Sequence, residues 1–249
     1  MLVGVALAST RKSIVAEEDF DISSLAAYLH MLPAQIIRLA ERGKIPARRV
    51  GGDWRFSAHE VHLWLEDRIG LSDDSELAQM ETNLERTTKE TNGEISIAEL
   101  LPEDAIAIPL AARTRGSVIS AMADLACNTG LLWDPAKMAD AVAAREDMHP
   151  TALDIGVALL HPRRPQSSIL GGSILALGIT SQGIPFGGTS GLTDVFFLIC
   201  ATDDHEHLRI LARLSRMITD ADWLAELREA TDSKNAHSLI ATRDASLST

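Results

Sequence analysis

The sequence predicts a chain of mixed class in two parts. A small helical part is closed by a hairpin, and a larger α+β or α/β part has a mixed β-sheet flanked by helices. Three observations carry this. Ile22, Leu25, Ala26 and Leu29 recur at i, i+3, i+4 and i+7, one face of a helix. The stretch 48–56 alternates about Gly51-Gly52, a hairpin signal. From residue 105 onward short apolar runs alternate with helical periodicities, the pattern of a buried sheet covered by helices.

In the first part a turn at His30 to Leu32 follows the first helix. Pro33 is a favoured first helical residue, and Ile36, Leu39 and Ala40 continue a second helix that Gly43 ends. Ser57 and Glu60 have capping-box spacing ahead of Val61, Trp64 and Leu65 on a third helix. Between residues 33 and 56 the basic residues Arg38, Arg42, Lys44, Arg48, Arg49 and Arg55 face only Glu41 and Asp53, although the whole chain carries a net charge of −12. A basic patch inside an acidic protein, on helix, tight turn, helix, hairpin and helix, is the layout of a small winged helix-turn-helix reader of duplex DNA.

Residues 71–93 are polar, with Asp73, Asp74, Glu76, Glu81, Glu85 and Glu90 outnumbering Arg86 and Lys89, and read as an acidic linker. Leu77, Met80 and Leu84 have the spacing of a brief amphipathic helix, either solvated or pairing two chains. The expected division is therefore 1–70, 71–93 and 94–249. In the last segment strands are expected at 105–110, 155–160, 174–180 and 195–201, and helices at 118–127, 135–145, 207–218 and 223–229.

Composition narrows the function. Aromatic residues make up 4% of the chain, too few for a sugar-stacking platform or a single-strand nucleic-acid groove. The net negative charge excludes a general polyanion binder. Cys127 and Cys200 are far apart in apolar contexts and imply no disulfide framework. No run approaches the roughly 20 apolar residues of a membrane helix, and residues 1–9 are too short for a signal-peptide core. The expectation is a cytoplasmic protein without membrane insertion.

The chemistry concentrates in Gly156-Val-Ala-Leu-Leu-His161-Pro-Arg-Arg-Pro165. A strand cannot continue through Pro162, which has no amide hydrogen, so His161 stands where the backbone emerges from the core. An imidazole at a rigid strand end with guanidinium charge nearby suits a nucleophile that accepts a phosphoryl group. The same residues also fit a surface histidine beside two solvated arginines. Arg145, at the end of the helix before this strand, and His207, in the first turn of a helix headed by Asp203 and Glu206, are candidate partners for the oxygens. A cation capping a helix and a helix-surface histidine are their plainer readings. Leu159 and Leu160 supply a dry wall. His149, His161, His205 and His207 with Cys127 and Cys200 have no spacing diagnostic of zinc, so no metal is expected.

Two resemblances sharpen these readings. Residues 22–68, and within them Leu39-Ala-Glu-Arg-Gly-Lys-Ile-Pro-Ala-Arg-Arg-Val-Gly-Gly-Asp-Trp-Arg-Phe56, resemble the excisionase/MerR-like helix-turn-helix family. This implies that Gln35 and Arg38 face the major groove, and that Lys44, Arg48, Arg49 and Arg55 lie on the DNA-binding side. Leu32, Pro33 and Ala34 replace the polar start usual for that recognition helix. Residues 94–240 resemble the type-2 IIA domain of the sugar phosphotransferase system, the fructose/mannitol and nitrogen-regulatory class. The shared landmarks are Ala144-Arg-Glu146, Pro150-Thr-Ala-Leu153, Gly156-Val-Ala158 ahead of His161, Gln182-Gly-Ile-Pro-Phe186, Asp194-Val-Phe-Phe-Leu198 and His207-Leu-Arg-Ile-Leu-Ala-Arg-Leu214. The resemblance implies that His161 carries the phosphoryl group, flanked by Arg145 and His207, that an HPr-like phosphocarrier protein donates it, and that no cofactor takes part. Leu160-His161-Pro162 stands where the family reads Ile-Pro-His-Gly or Ile-Pro-His-Ala.

Together these describe a phosphotransferase-linked regulator whose IIA domain signals to a DNA-binding domain, with a second copy of the chain as a candidate partner. The alternatives are a plain phosphocarrier of a sugar permease and a sensor or adaptor that is not phosphorylated.

Overall fold

A computed structural model describes residues 19–29, 31–71, 77, 78, 82, 95–187 and 191–248. Its contacts divide the chain into two compact units, Met1–Trp64 and Leu65–Thr249. His30, residues 1–9 and most of the expected linker at 71–93 fall outside the described residues. Within that linker Leu77 is helical and buried.

In the smaller unit α1 (Ile22–Tyr28) is capped reciprocally: Asp21 accepts from the Ser24 amide, and the Ser24 side chain accepts from the Asp21 amide. Helix α2 (Pro33–Glu41) starts with proline at its first position. Strands β1 (Arg48–Val50) and β2 (Asp53–Arg55) pair antiparallel, Arg48 opposite Arg55 and Arg49 opposite Trp54. The turn between them needs two positive φ angles, which Gly51 and Gly52 supply at 63° and 96°. Helix α3 (Ala58–Leu71) begins here. Leu25, Ile36, Phe56 and Val61 are fully buried. Two ties close the unit: Phe20 and Phe56 exchange backbone hydrogen bonds of 2.8 and 3.0 Å, and Trp64 Nε1 donates to the Lys44 carbonyl at 2.7 Å. The expected helix-turn-helix with a hairpin wing is present.

The larger unit is built on a four-stranded mixed sheet of order β3-β5-β6-β4, with β3 (Ile106–Ala107), β4 (Val157–Leu160), β5 (Ile174–Pro185) and β6 (Leu192–Cys200). Strands β5 and β6 are antiparallel, whereas β3 pairs parallel to β5 and β4 parallel to β6. Near-continuous apolar runs in β4 and β6 put every residue of β4 and nearly all of β6 in the core, as expected for strands covered on both faces. The helices are α4 (Ile97–Leu100), α5 (Arg115–Cys127), α6 (Pro135–Met148), α7 (Asp204–Ile218), α8 (Ala221–Arg228) and α9 (Ser233–Leu247). Among the described residues, no helix is long and apolar enough to cross a membrane.

Differences from the expected elements have local causes. Strand β3 is shorter than 105–110 because Ala105 closes a 3-10 turn and Pro109 has no amide hydrogen. Strand β5 runs on to Pro185 across a register shift between Ile179 and Ile184. Helix α9 carried no sequence expectation, since its buried positions are Ala236, Ile240 and Asp244, a face with one large apolar side chain.

Asp244 is what anchors α9. Its carboxylate accepts from Arg213 Nε on α7 at 2.9 Å, from the Ser96 hydroxyl at 3.1 Å and from the Ala98 amide at 3.2 Å, and Arg213 Nη2 also donates to the Asp244 carbonyl at 2.8 Å. Both charged residues are buried. Removing one partner leaves the other charge uncompensated in the core, so Asp244→Ala is expected to cost about 3–5 kcal/mol. Urea unfolding of the full chain measures this, and a loss below about 1 kcal/mol would show that water reaches Arg213.

Candidate functional site

The site forms where β4 ends. Gly156 enters the strand with φ +80°, and a Cβ there would meet Arg228 Nη2 at 2.9 Å. The Gly156 carbonyl accepts from the amides of Asp194 and Val195, while Arg228 binds Asp194 and the Ile155 carbonyl. These contacts set β4 beside β6 in the register Leu160 opposite Leu198. The strand stops at Leu160, and Pro162 prevents its continuation.

His161 projects from this stop and is buried. Its Nδ1 lies 2.8 Å from the Leu159 carbonyl oxygen. A carbonyl only accepts, so Nδ1 carries a proton, and in the neutral ring Nε2 is the nitrogen with the lone pair. Three side chains converge on that nitrogen's side of the ring. Glu66, near the end of α3, puts Oε2 at 3.5 Å from His161 Nε2. His207 Nε2 lies 3.2 Å from Glu66 Oε1, and Arg145 Nη2 lies 3.5 Å from Glu66 Oε2. The two imidazole rings are 4.8 Å apart between centroids at 51°. Relative exposures of 3% for His161, 5% for His207 and 7% for Arg145 and Glu66 make this a desolvated cluster, where charge acts strongly.

Each group has a local reason to be there. Arg145 sits in the last turn of α6, where its Nη1 donates to the His149 carbonyl at 2.7 Å. It therefore caps a helix and faces the cluster at once. His207 lies in the first turn of α7, whose N-cap Asp203 accepts from the Glu206 amide. Burial pushes His207 below the usual imidazole range, against the partial opposition of the Glu66 carboxylate, so its ring is neutral near pH 7. Burial alone would raise the Glu66 carboxyl. The His207 N–H edge, and that of His161 when its ring is cationic, outweigh that and hold it well below the ordinary carboxylate range.

His161, Arg145 and His207, the three residues singled out in the sequence, are thus brought together. Arg163 and Arg164 are exposed, and Arg163 reaches the Met148 sulfur at 3.9 Å, so neither lines the buried cluster. Glu66 carries no expectation from sequence, and nothing in its surroundings along the third helix marks it. Glu146 also escapes sequence reasoning as a supporting group. Buried, and raised in pKa by that burial, it accepts from the Thr151 amide at 3.2 Å and from the Thr151 hydroxyl, which fastens the loop into β4.

Glu66, His161 and His207 each offer one atom within 4.8 Å of the others, a spacing a metal ion would accept. The Arg145 guanidinium against the same carboxylate oxygen opposes a divalent cation, and the donor set suits an anion better. The other residues weighed for a metal do not join: His149 is exposed, and the Cys200 thiol is pushed up to about 12 by burial.

On the smaller unit Gln35, Arg38, Lys44, Arg48 and Arg49 are exposed and Arg55 is half-buried. Gln35 Oε1 accepts from the Leu32 amide at 2.8 Å, which substitutes for the missing side-chain cap. Arg48 pairs with Asp19. The Arg49 guanidinium stacks 4.5 Å over Trp54 and donates to the Gly52 carbonyl, which presets its orientation on the hairpin.

The two depressed pKa values share a sign. A histidine whose folded pKa lies below its unfolded value loses stability as pH falls through about 6.5, because the unfolded chain binds the proton more readily. A carboxylate with a depressed folded pKa adds stability above its unfolded pKa and loses it as pH falls further. Unfolding free energy is therefore expected to decline from pH 7 to 5 through His207, and more steeply below about 4.5 through Glu66. Denaturant titrations of wild type and His207→Asn check this, the variant having the shallower slope between pH 7 and 5.

Comparison with known proteins places the two segments. A helix-turn-helix domain family matches residues 20–69. The family described as "Phosphoenolpyruvate-dependent sugar phosphotransferase system, EIIA 2" matches residues 99–242, more than half of the chain. A curated relative, the "Nitrogen regulatory protein" of Bradyrhizobium diazoefficiens, is 31% identical over 100 residues, covering 39% of this chain and 63% of that protein, so the chain spans less than two thirds of that relative's length. Among solved structures, nitrogen regulatory protein IIA-Ntr from Neisseria meningitidis aligns with a TM-score of 0.53 at 18% identity, over 58% of this chain and 98% of that one. The IIA mannitol structure from Escherichia coli aligns with a TM-score of 0.51 at 19% identity, over 56% and 98%. At such identities the structures speak for the fold, and the match over residues 99–242 speaks for descent. The chain belongs to the EIIA 2 family of the phosphoenolpyruvate-dependent sugar phosphotransferase system, with a helix-turn-helix domain ahead of the family segment.

Proposed function

We propose that the chain is a cytoplasmic regulator in which His161 accepts a phosphoryl group and the phosphorylation state is passed to the helix-turn-helix domain. The observation that carries this is the tautomer of His161. With a proton held on Nδ1 by the Leu159 carbonyl, the neutral ring has its lone pair on Nε2, which faces Glu66 in the cluster that Arg145 and His207 complete. In the transfer, the Nε2 lone pair forms the new N–P bond in line with the bond that breaks. The electron pair of the broken bond stays on the donor nitrogen, so no proton need move. Arg145 is a permanent charge for the equatorial oxygens and neutral His207 an N–H donor. A small HPr-like phosphocarrier protein bearing phosphohistidine is the proposed donor. Curated likeness to a nitrogen regulatory protein supports a regulatory rather than a purely sugar-transporting role.

Incubating the full chain with a phosphotransferase cascade and reading intact mass tests the proposal. Wild type is expected to take up one acid-labile phosphoryl group and His161→Ala none. Arg145→Ala should slow uptake by a factor of about 10³. Arg145→Lys should restore only part of it, since an ammonium cannot fork across two oxygens. No uptake from any competent donor would favour a second reading, a sensor on a carrier's fold, which Pro162 at the acceptor favours through its missing amide hydrogen. A plain phosphocarrier, in contrast, would pass the group onward with residues 1–70 dispensable.

The DNA-binding role rests on Gln35, Arg38, Lys44, Arg48, Arg49 and Arg55. Binding to duplex DNA should fall steeply with salt, and Arg38→Ala should cost about 1–3 kcal/mol of discrimination if it reads a base edge. A full chain with Arg48→Glu and Arg49→Glu that binds DNA as wild type does would point to a protein-binding adaptor instead.

A further inference from the structure

We propose that Glu66 is a built-in occupant of the phosphoryl-acceptor pocket and must leave it before His161 can be phosphorylated, an inference that rests on the acceptor reading of His161. The carboxylate stands where an incoming group has to stand. Its Oε2 is 3.5 Å from both His161 Nε2 and Arg145 Nη2, and its Oε1 is 3.2 Å from His207 Nε2. An in-line transfer needs phosphorus at about 3–3.5 Å from the attacking nitrogen. That position is filled by a carboxylate oxygen, so the two are mutually exclusive on steric grounds. Charge excludes them as well, since a phosphoryl dianion and a carboxylate a few ångströms apart in a desolvated pocket repel strongly.

The atoms in the cluster fit a placeholder better than a finished network. Glu66 Oε2, His161 Nε2, His207 Nε2 and Arg145 Nε are all buried, and none has a hydrogen-bond partner among the described residues. A carboxylate offers two oxygens to a pocket in which Arg145 and His207 supply the donors, and it approaches them at 3.5 and 3.2 Å without forming hydrogen bonds to these atoms. A tetrahedral group with three oxygens has more ways to satisfy them.

Glu66 belongs to the larger unit by its contacts, yet the helix-turn-helix match extends to residue 69 and α3 carries it. Whatever expels Glu66 therefore acts on the last helix of that match. Occupancy of one pocket, by carboxylate or by phosphoryl group, becomes the signal.

The experiment uses the full chain as wild type, Glu66→Ala, Glu66→Gln and, as a control at an exposed residue in the first turn of α3, Glu60→Ala. Inorganic phosphate is titrated while the imidazole signals of His161 and His207 are followed by NMR. Glu66→Ala is expected to bind phosphate about tenfold more tightly than wild type or more, Glu66→Gln to gain less because its amide still fills the space, and Glu60→Ala to match wild type. Equal phosphate affinity in wild type and both Glu66 variants overturns the proposal, and the near-isosteric Glu66→Gln keeps that outcome measurable should Glu66→Ala fail to fold. Phosphoramidate, a small donor whose P–N bond breaks with release of ammonia, is then supplied and uptake read by intact mass. Where any of the proteins takes up the group, faster uptake by the Glu66 variants supports the proposal, and equal or slower uptake overturns it. If no protein takes up the group while phosphate still distinguishes Glu66→Ala from wild type, the acceptor reading fails and the occupant reading stands. A zinc-dependent rise in melting temperature that vanishes in Glu66→Ala would make the trio a cation site and overturn the proposal.

Discussion

The hydrogen bond from His161 Nδ1 to the Leu159 carbonyl is the constraint on which the site depends. An imidazole free to exchange tautomers or turn about its χ angles is a poor nucleophile, because each reaction must first select one of several states. Here the strand's own backbone selects the state. The Leu159 carbonyl is available because β4 is the edge strand of the sheet and this residue's polar groups face away from β6, its amide donating to Thr151. Pro162 then ends the strand, which frees the backbone at His161 to turn the ring back onto that carbonyl. What the proline removes is an amide hydrogen, which under the proposed acceptor role falls to side chains to replace.

Those side chains divide the work by charge. Arg145 is a fixed cation whose position is secured by its bond to the His149 carbonyl. It does not need the pocket's occupant to hold it in place. His207 is kept neutral by burial, so it can donate a proton in a hydrogen bond without adding a second full charge beside the nucleophile. A charged imidazolium there would compete for the electrons that His161 has to give. One permanent cation, one neutral donor and one lone pair favour an anion that is weakly held and readily exchanged, and they disfavour a divalent metal.

Much of the fold was legible because its signals are local. The hairpin at Gly51-Gly52, the Pro33 helix start and the four apolar runs of the larger segment each announce themselves within ten residues. Helix α9 escaped because its buried face is built from Ala236, Ile240 and Asp244, and an aspartate buried by pairing with Arg213 looks like a surface residue until its partner is known. The same distinction separates the members of the site. His161, Arg145 and His207 each stand at the end or start of an element, where sequence shows the backbone turning. Glu66 lies within a helix among residues of ordinary pattern, and its importance comes from a tertiary contact with residues about 80 to 140 positions away. Such a contact leaves no periodicity and no spacing behind.

The same tertiary contact bears on how a signal could cross this chain. A ligand shifts a conformational equilibrium only by the difference in its affinity for the two states. If a phosphoryl group and Glu66 compete for one pocket, the difference is as large as mutual exclusion allows, and no chain of small adjustments through the sheet is needed. The rigid parts, β4 and β6 with the loop fastened by Glu146 and Thr151, then serve to keep the pocket unchanged while its occupant changes. Coupling of this kind is reciprocal at equilibrium: whatever holds α3 in place, including DNA if the proposed reader binds it, must disfavour the phosphorylated state by the same free energy with which phosphorylation loosens that hold. A DNA-dependent decrease in phosphoryl uptake, absent in Glu66→Ala, is the signature that separates competition at the pocket from a change spread through the fold.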